Sequence, residues 1–243
     1  MSSRRFLLLE PPSNGRATLR GSEAHHLRNV LRAEPGRAVE LIDGSGRIWQ
    51  AVVGQCSAAV VELTEVELLE TASAAPHLGL IQSLCKADKL EWILEKCTEL
   101  GIDEIYLLEA ARSVVRVPKE RLEAKMERWQ RIILGAVKQS RRGTLPMLYP
   151  PSSLQVLCRN LAPGLKLLLS ESKDVPSLKS ILRSSTWTHA IICIGPEGGW
   201  TGQEHQELVQ SGFQPASLGP QILRTETAAL VVTALLKYEQ EEP

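Results

Sequence analysis

Two textures of hydrophobic and polar positions divide this chain. Up to about residue 70 the two kinds of residue alternate, and Val39-Glu40-Leu41 and Trp49-Gln50-Ala51 each read as a half-buried strand. The Asp43-Gly44-Ser45-Gly46 stretch between them carries an Asp-Gly turn signal, so a hairpin is expected there. Further strands are expected at Arg5 to Leu9 and Ala59 to Val66. One helix interrupts this β region: Ser22 is a candidate N-cap, and Leu27, Val30 and Leu31 fall on one face.

The pattern then changes. The apolar run Ile191 to Ile194 predicts a strand buried on both faces and Leu165 to Leu169 another buried strand, with further strands at Leu78 to Leu84, Ile105 to Leu108 and Pro215 to Leu218. Helical periodicity lies between them. Asp88 heads a helix with Leu90, Ile93, Leu94, Cys97 and Leu100 on one face. Lys119 to Gln139 predicts a long helix with Leu122, Met126, Trp129, Ile132, Ile133, Ala136 and Val137 inward, interrupted by Gly135 at about 1 kcal/mol relative to alanine. Shorter helices follow at Ser177 to Arg183 and Gly202 to Gln210, and a last one carries Leu230, Val231, Ala234 and Leu235. Alternating strands and helices imply an α/β fold with a mainly parallel sheet. The small-residue stretch Thr71 to Pro76 is the linker candidate, giving a β domain over residues 1–72 and an α/β domain over 73–243.

Composition narrows the functional classes. The 243 residues are 43% hydrophobic, enough for a sizeable core, and 28 basic residues balance 28 acidic ones. Such balance argues against a general polyanion binder but leaves room for a local patch. His25, Arg28 and Arg32 project from the polar face of the first predicted helix, and with Arg4 and Arg5 they concentrate positive charge where phosphates could be gripped; a solvated helix face is the alternative. Five scattered cysteines do not form a disulfide framework, no apolar run reaches membrane-spanning length, and a cytoplasmic setting is expected. The five histidines show no metal-ligand spacing, so no metal is expected.

The candidate chemistry lies in two loops. Ile191 to Trp200, IICIGPEGGW, is a strand running into a glycine loop, and Thr201 with Glu204 forms a capping-box pattern for the next helix. Leu218-Gly219-Pro220-Gln221-Ile222-Leu223 repeats the device and runs into Arg224-Thr225-Glu226-Thr227 at a helix start. Glycines permit close backbone approach or a tight turn, and each proline stiffens its loop. Together the loops suit a nucleoside-like ligand held by backbone groups. A pyrophosphate fits poorly, since no phosphate-cradling glycine motif is present and Glu197 would repel it.

With both loops in view, the chain resembles the bacterial 16S ribosomal RNA uridine N3-methyltransferases, a family within the SPOUT superfamily of knotted methyltransferases. The stretches HHLRNVLR, KADKLEWILEKCTELGI, ARSVV, VKQSRR, IGPEGGWTGQE and SLGPQILRTETAAL carry the resemblance. It implies a PUA-like β-barrel that binds RNA, then an α/β domain whose loops tie a trefoil knot around S-adenosylmethionine, in a homodimer acting on 16S RNA or the small ribosomal subunit. By motif position, Ile194, Gly195, Glu197, Gly198 and Gly199 would form one wall of the cofactor site. Leu218, Gly219, Ile222 and Leu223 would form another, with Leu169 and Ser170 closing it and Thr227 at the mouth. Arg112, Gln139, Ser140 and Arg141 would face the RNA substrate.

The implied reaction moves a methyl group to uridine N3, whose deprotonation places charge on the flanking carbonyl oxygens. Arg224 is the first candidate to stabilise that charge and Arg112 the second. Glu226 is either a proton acceptor or a carboxylate favoured by its helix N-terminus. A non-catalytic RNA-binding dimer and a small-molecule α/β enzyme are the alternative readings.

Overall fold

The computed structural model describes residues 5–57, 59–72, 76–172 and 174–240. The chain divides into two compact units, residues 1–74 with 137–145, and residues 75–136 with 146–243. One break between the units falls after residue 74, and residues 73–75 of the expected linker lie outside the described residues. The sequence gives no sign that residues 137–145 belong with the first unit.

The first unit is built on β1 (Arg5–Leu7), β2 (Ala17–Arg20), β3 (Ala38–Ile42), β4 (Arg47–Cys56) and β5 (Val60–Thr71), in sheet order β1-β3-β4-β5-β2. The expected hairpin is present. Val39 pairs with Ala51 and Leu41 with Trp49, which puts all four on the buried face, while Glu40 and Gln50 pair on the other. Between β2 and β3 lie α1 (Gly21–His25) and a π-helical turn (His26–Val30). Here the expectation fails: Ser22 lies inside the first turn, behind Arg20 as N-cap, and no side chain caps the helix. The Leu31 amide bonds the His26 carbonyl five residues back, at 3.0 Å. That wider turn breaks the 3.6-residue stripe, so Leu27 is buried while Val30 is 59% exposed.

The second unit holds β6 (His77–Ser83), α2 (Ala87–Glu99), β7 (Glu104–Leu108), α3 (Lys119–Gln139), β8 (Met147–Ser152) and α4 (Leu154–Asn160). It continues through β9 (Leu165–Leu169), α5 (Leu178–Arg183), β10 (His189–Ile194), α6 (Gly202–Gln210), β11 (Gln214–Ala216) and α7 (Thr225–Gln240). The last three residues of α3 count with the first unit. The sheet order is β11-β9-β10-β6-β7-β8, with every pairing parallel, so the apolar runs on β6 and β10 are covered on both faces. The strand β8 escapes the pattern reading because it is an exposed edge carrying Pro150 and Pro151, where a missing ladder donor costs little. Asp88, a cap candidate by its position ahead of the apolar face, does not cap α2: the N-cap is Lys86, no side chain caps the helix, and Asp88 lies in the first turn.

Candidate functional site at the carboxyl edge of the parallel sheet

Strands β9, β10 and β11 are neighbours, and the loops leaving their carboxyl ends face one another across a cavity of about 760 Å³. Leu169 and Ser170 line it from the first loop, Ile194, Gly195, Glu197 and Gly199 from the second, and Leu218, Gly219, Ile222, Leu223 and Arg224 from the third. Sequence reasoning named all of these. The lining also includes Trp200, His205 and Lys89, which it did not assign.

The glycines have more particular reasons than ligand approach. Only Gly199 among the three in the second loop has a positive φ, at 70°. A Cβ at Gly195 would lie 2.9 Å from the Trp200 indole, and one at Gly198 would lie 3.2 Å from the Arg112 Cβ. Thus Gly195 and Gly198 let side chains of the chain itself press against the loop. Gly198 does not line the cavity; its carbonyl accepts a 3.2 Å bond from the Arg112 guanidinium.

The outer side of the same loop is clamped by the segment after β7. Arg112 also donates to the Trp200 carbonyl at 3.4 Å, so its guanidinium braces the loop from behind and does not line the cavity. Glu204 accepts from the Ala111 amide at 2.7 Å, and from the Thr201 amide and hydroxyl at 2.9 and 2.8 Å, while the Thr201 hydroxyl accepts from the Glu204 amide. Burial pushes the Glu204 carboxyl upward, but these donors outweigh it and hold the group below its ordinary value. The expected capping box is therefore present and does more than cap, since it fastens α6 to the Ala111–Arg112 turn.

The two glycine loops are joined through the interior. Gln82, fully buried on β6, donates at 2.9 Å to the Thr225 hydroxyl, which in turn donates to the Gly195 carbonyl at 3.3 Å. One polar residue within the apolar run of β6 was the available signal, because a buried amide needs a partner. Near this link Lys89 of α2 pairs with Glu197 and stands 3.5 Å from Glu226. Hydrogen bonding to Glu197 raises the Lys89 ammonium pKa. Beside these groups Cys85 is pushed up to about 12, first by burial and next by Glu197, and stays a neutral thiol. Two carboxylates against one ammonium leave this corner with a net negative charge.

Several expected site residues stand elsewhere. Glu226 lies in the first turn of α7, directed onto Lys89 and outside the cavity lining; Thr227 is exposed and also outside it. In the first unit Arg5 is not part of an open patch. Its side chain is 10% exposed and donates to Glu40 at 2.7 Å, because β1 pairs with β3 and sets the two opposite each other. His25 and Arg32 are exposed, whereas Arg28 is half-buried and donates to the Ser57 carbonyl. Arg4 lies outside the described residues. Gln139, Ser140 and Arg141 count with the first unit, not with the unit that holds the cavity.

The fold and this cavity define an α/β ligand-binding protein whose site is built from loops at the carboxyl edge of a parallel sheet. Residues 73–237 match the RNA methyltransferase domain family, and residues 19–55 match the RNA methyltransferase PUA domain. The chain belongs to the RNA methyltransferase family, as its paired glycine loops implied. It is 32% identical over 231 residues to ribosomal RNA small subunit methyltransferase E of Bacillus subtilis, covering 92% of this chain and 90% of that one. The protein of the same name from Synechocystis is 34% identical over 224 residues, covering 89% and 71%. The crystal structure of ribosomal RNA small subunit methyltransferase E from Neisseria gonorrhoeae bound to S-adenosyl methionine superposes with a TM-score of 0.87, at 32% identity over 98% of both chains. Among the described residues, no helix is long and apolar enough to cross a membrane.

Proposed function

We propose that this protein methylates N3 of a uridine in the RNA of the small ribosomal subunit, in the cytoplasm, with S-adenosylmethionine as donor. The observation that carries the reading is the cavity between two glycine loops with Arg224 at its wall, in a chain of the RNA methyltransferase family. The residues present fit the cofactor. Leu169, Ile194, Leu218, Ile222 and Leu223 offer apolar surface for an adenosine, the loop backbones offer hydrogen-bonding groups, and the volume lies within the usual range for small-ligand sites. The net negative corner at Lys89, Glu197 and Glu226 suits a cationic ligand with one anionic group. When bound, S-adenosylmethionine supplies a methyl group already activated by its sulfonium.

The protein's own residues then have three tasks. The glycine loops fix the donor site in position, held from behind by Arg112 and Glu204 and from within by Thr225. Arg224, exposed beside the cavity at the start of α7, stabilises negative charge on a uracil carbonyl oxygen as the N3 proton leaves. Glu226, 3.5 Å from the Lys89 ammonium, adds negative charge to the edge of the site. A uridine must present its Watson–Crick edge for this, so unpaired or splayed RNA is the substrate form. The PUA-like first unit grips that RNA, with His25 and Arg32 among its exposed basic groups. The trefoil knot belongs to this same reading.

The test is to incubate the protein with small ribosomal subunits, or with their naked RNA, and S-adenosylmethionine labelled on its methyl group, then digest and analyse the nucleosides by mass spectrometry. Label in N3-methyluridine at a single position is expected. Label confined to another atom or base would overturn the assignment, and cofactor binding by calorimetry without any transfer would favour a non-catalytic RNA-binding protein.

The working form is a homodimer. On α7 the buried face is Ala228, Ala229, Val232, Thr233 and Leu236, which leaves Val231, Leu235 and Tyr238 as a second stripe at helical spacing. Leu235 is 42% exposed and Trp92, on the adjoining α2, 41%. Leu235→Glu is expected to give a folded monomer in sedimentation velocity, against a wild-type dimer. An undiminished dimer in the variant would place the interface elsewhere.

A further inference from the structure

The amino-terminal edge of the parallel sheet, opposite the cavity, gathers three groups that the sequence keeps far apart. His77 opens β6, Glu104 opens β7 and His189 opens β10, and these strands are neighbours in the order β10-β6-β7. The register pairs His189 directly with His77. One donor atom from each of the three residues lies within 4.8 Å of the others. The His77 Nε2 to Glu104 Oε1 distance is 3.4 Å. Two ligands bound at zinc distances and a tetrahedral angle stand about 3.4 Å apart, so this pair already has the separation the metal requires.

The groups behind the trio are those that hold metal ligands in place. His189 Nδ1 lies 3.1 Å from the Pro163 carbonyl oxygen. A carbonyl only accepts, so Nδ1 carries the proton and Nε2 carries a free lone pair. Glu104 uses its second oxygen, Oε2, to accept from the Tyr106 hydroxyl at 2.8 Å, leaving Oε1 for His77 or an ion. A histidine fixed by a backbone carbonyl and a carboxylate fixed by a hydroxyl are the two usual supports around a bound metal. Asp103 is nearby but otherwise engaged: its Oδ2 accepts from the Leu78 amide at 3.0 Å and stands 3.8 Å from Lys237 Nζ and 4.0 Å from His77 Nδ1. All three candidate ligands are half-buried, with the His77 side chain 45% exposed, so water has access to complete the coordination.

We propose that His77, Glu104 and His189 bind one divalent cation of the zinc class, with water filling the open position, and that the ion ties the amino ends of three adjacent strands together. Two imidazoles and a carboxylate favour zinc and its transition-metal neighbours over calcium or magnesium, which prefer all-oxygen sites. The site stands apart from the proposed methyl transfer and does not depend on it.

The full chain, stripped with chelator and carrying Cys56→Ser to remove an exposed thiol, is titrated with zinc chloride by calorimetry. One ion per chain is expected, together with a rise in the thermal midpoint. His189→Ala and Glu104→Gln should each weaken zinc by more than the roughly 10- to 100-fold that loss of a supporting group costs. His77→Asn, at a side chain 45% exposed, should do the same, while His25→Ala keeps the full affinity. Cobalt bound to the same protein should show the visible bands of a low-coordinate nitrogen and oxygen site, absent in His77→Asn. Failure of the folded parent to bind zinc, or equal affinity in the parent and His77→Asn, would overturn the proposal.

Discussion

Arg224→Ala is expected to lower the rate of methyl transfer by roughly 10²- to 10³-fold, the usual effect of removing one preorganised donor from a developing oxyanion. Affinity for S-adenosylmethionine should change little, because the apolar and backbone groups of the three loops, and Lys89 and Glu197 beside them, stay in place. The defect should be pH-dependent with a definite sign. Arg224 works by stabilising the deprotonated uracil, so raising the pH, which populates that anion without help, should close part of the gap between variant and wild type. Arg224→Lys keeps the charge but not the planar fork of donors and should fall between the two. The measurements are single-turnover transfer to small-subunit RNA across a pH series and cofactor calorimetry. A folded Arg224→Ala protein that transfers methyl at the wild-type rate would remove the residue from the mechanism.

Glu204→Ala is the second large effect, on stability. The substitution leaves the Thr201 cap in place but removes the acceptor for the Thr201 amide and hydroxyl, and with it the acceptor for the Ala111 amide, at about 2–4 kcal/mol together. For a chain of this size that corresponds to a fall of roughly 5–15 °C in the thermal midpoint. The contribution depends on pH in a known direction. The folded-state carboxyl is held below its ordinary value of 4.5, so its stabilisation is fully present above that value and is lost as pH falls through the lower folded one. The difference between wild type and variant should be constant near neutrality and shrink below about pH 4.5. A difference independent of pH in circular-dichroism melts would mean that the charge on Glu204 does not matter. Because the same carboxylate fixes the Ala111–Arg112 turn behind the glycine loop, cofactor affinity should fall as well.

Much of the fold was legible from pattern because burial on two faces leaves a plain signature. The run on β10 is apolar at successive positions and lies between other strands, and the hairpin of β3 and β4 alternates because only one face is covered. What escaped has local causes. The edge strand β8 carries two prolines, the turn at His26–Val30 changes the helical period, and α7 buries Ala228, Ala229, Val232, Thr233 and Leu236 in place of the expected face of Leu230, Val231, Ala234 and Leu235. Site residues were legible only where they lie in the glycine loops. Lys89, Gln82 and Thr225 were missed because their partners are distant in sequence: Gln82 and Thr225 meet only when β6 and the start of α7 are brought together.

The sequence by itself determined the strand–loop–helix units and the paired glycine loops that mark the family. These depend on periodicity and local backbone demands, which neighbouring residues set. The tertiary structure alone decided that Arg5 is locked to Glu40, that Arg112 braces a loop, that Lys89 stands between two carboxylates, and that His77, Glu104 and His189 share one sheet edge. The physical reason is the same in each case: hydrogen bonds and ion pairs act over a few ångströms of space, and only strand order and register decide which distant residues come within that range.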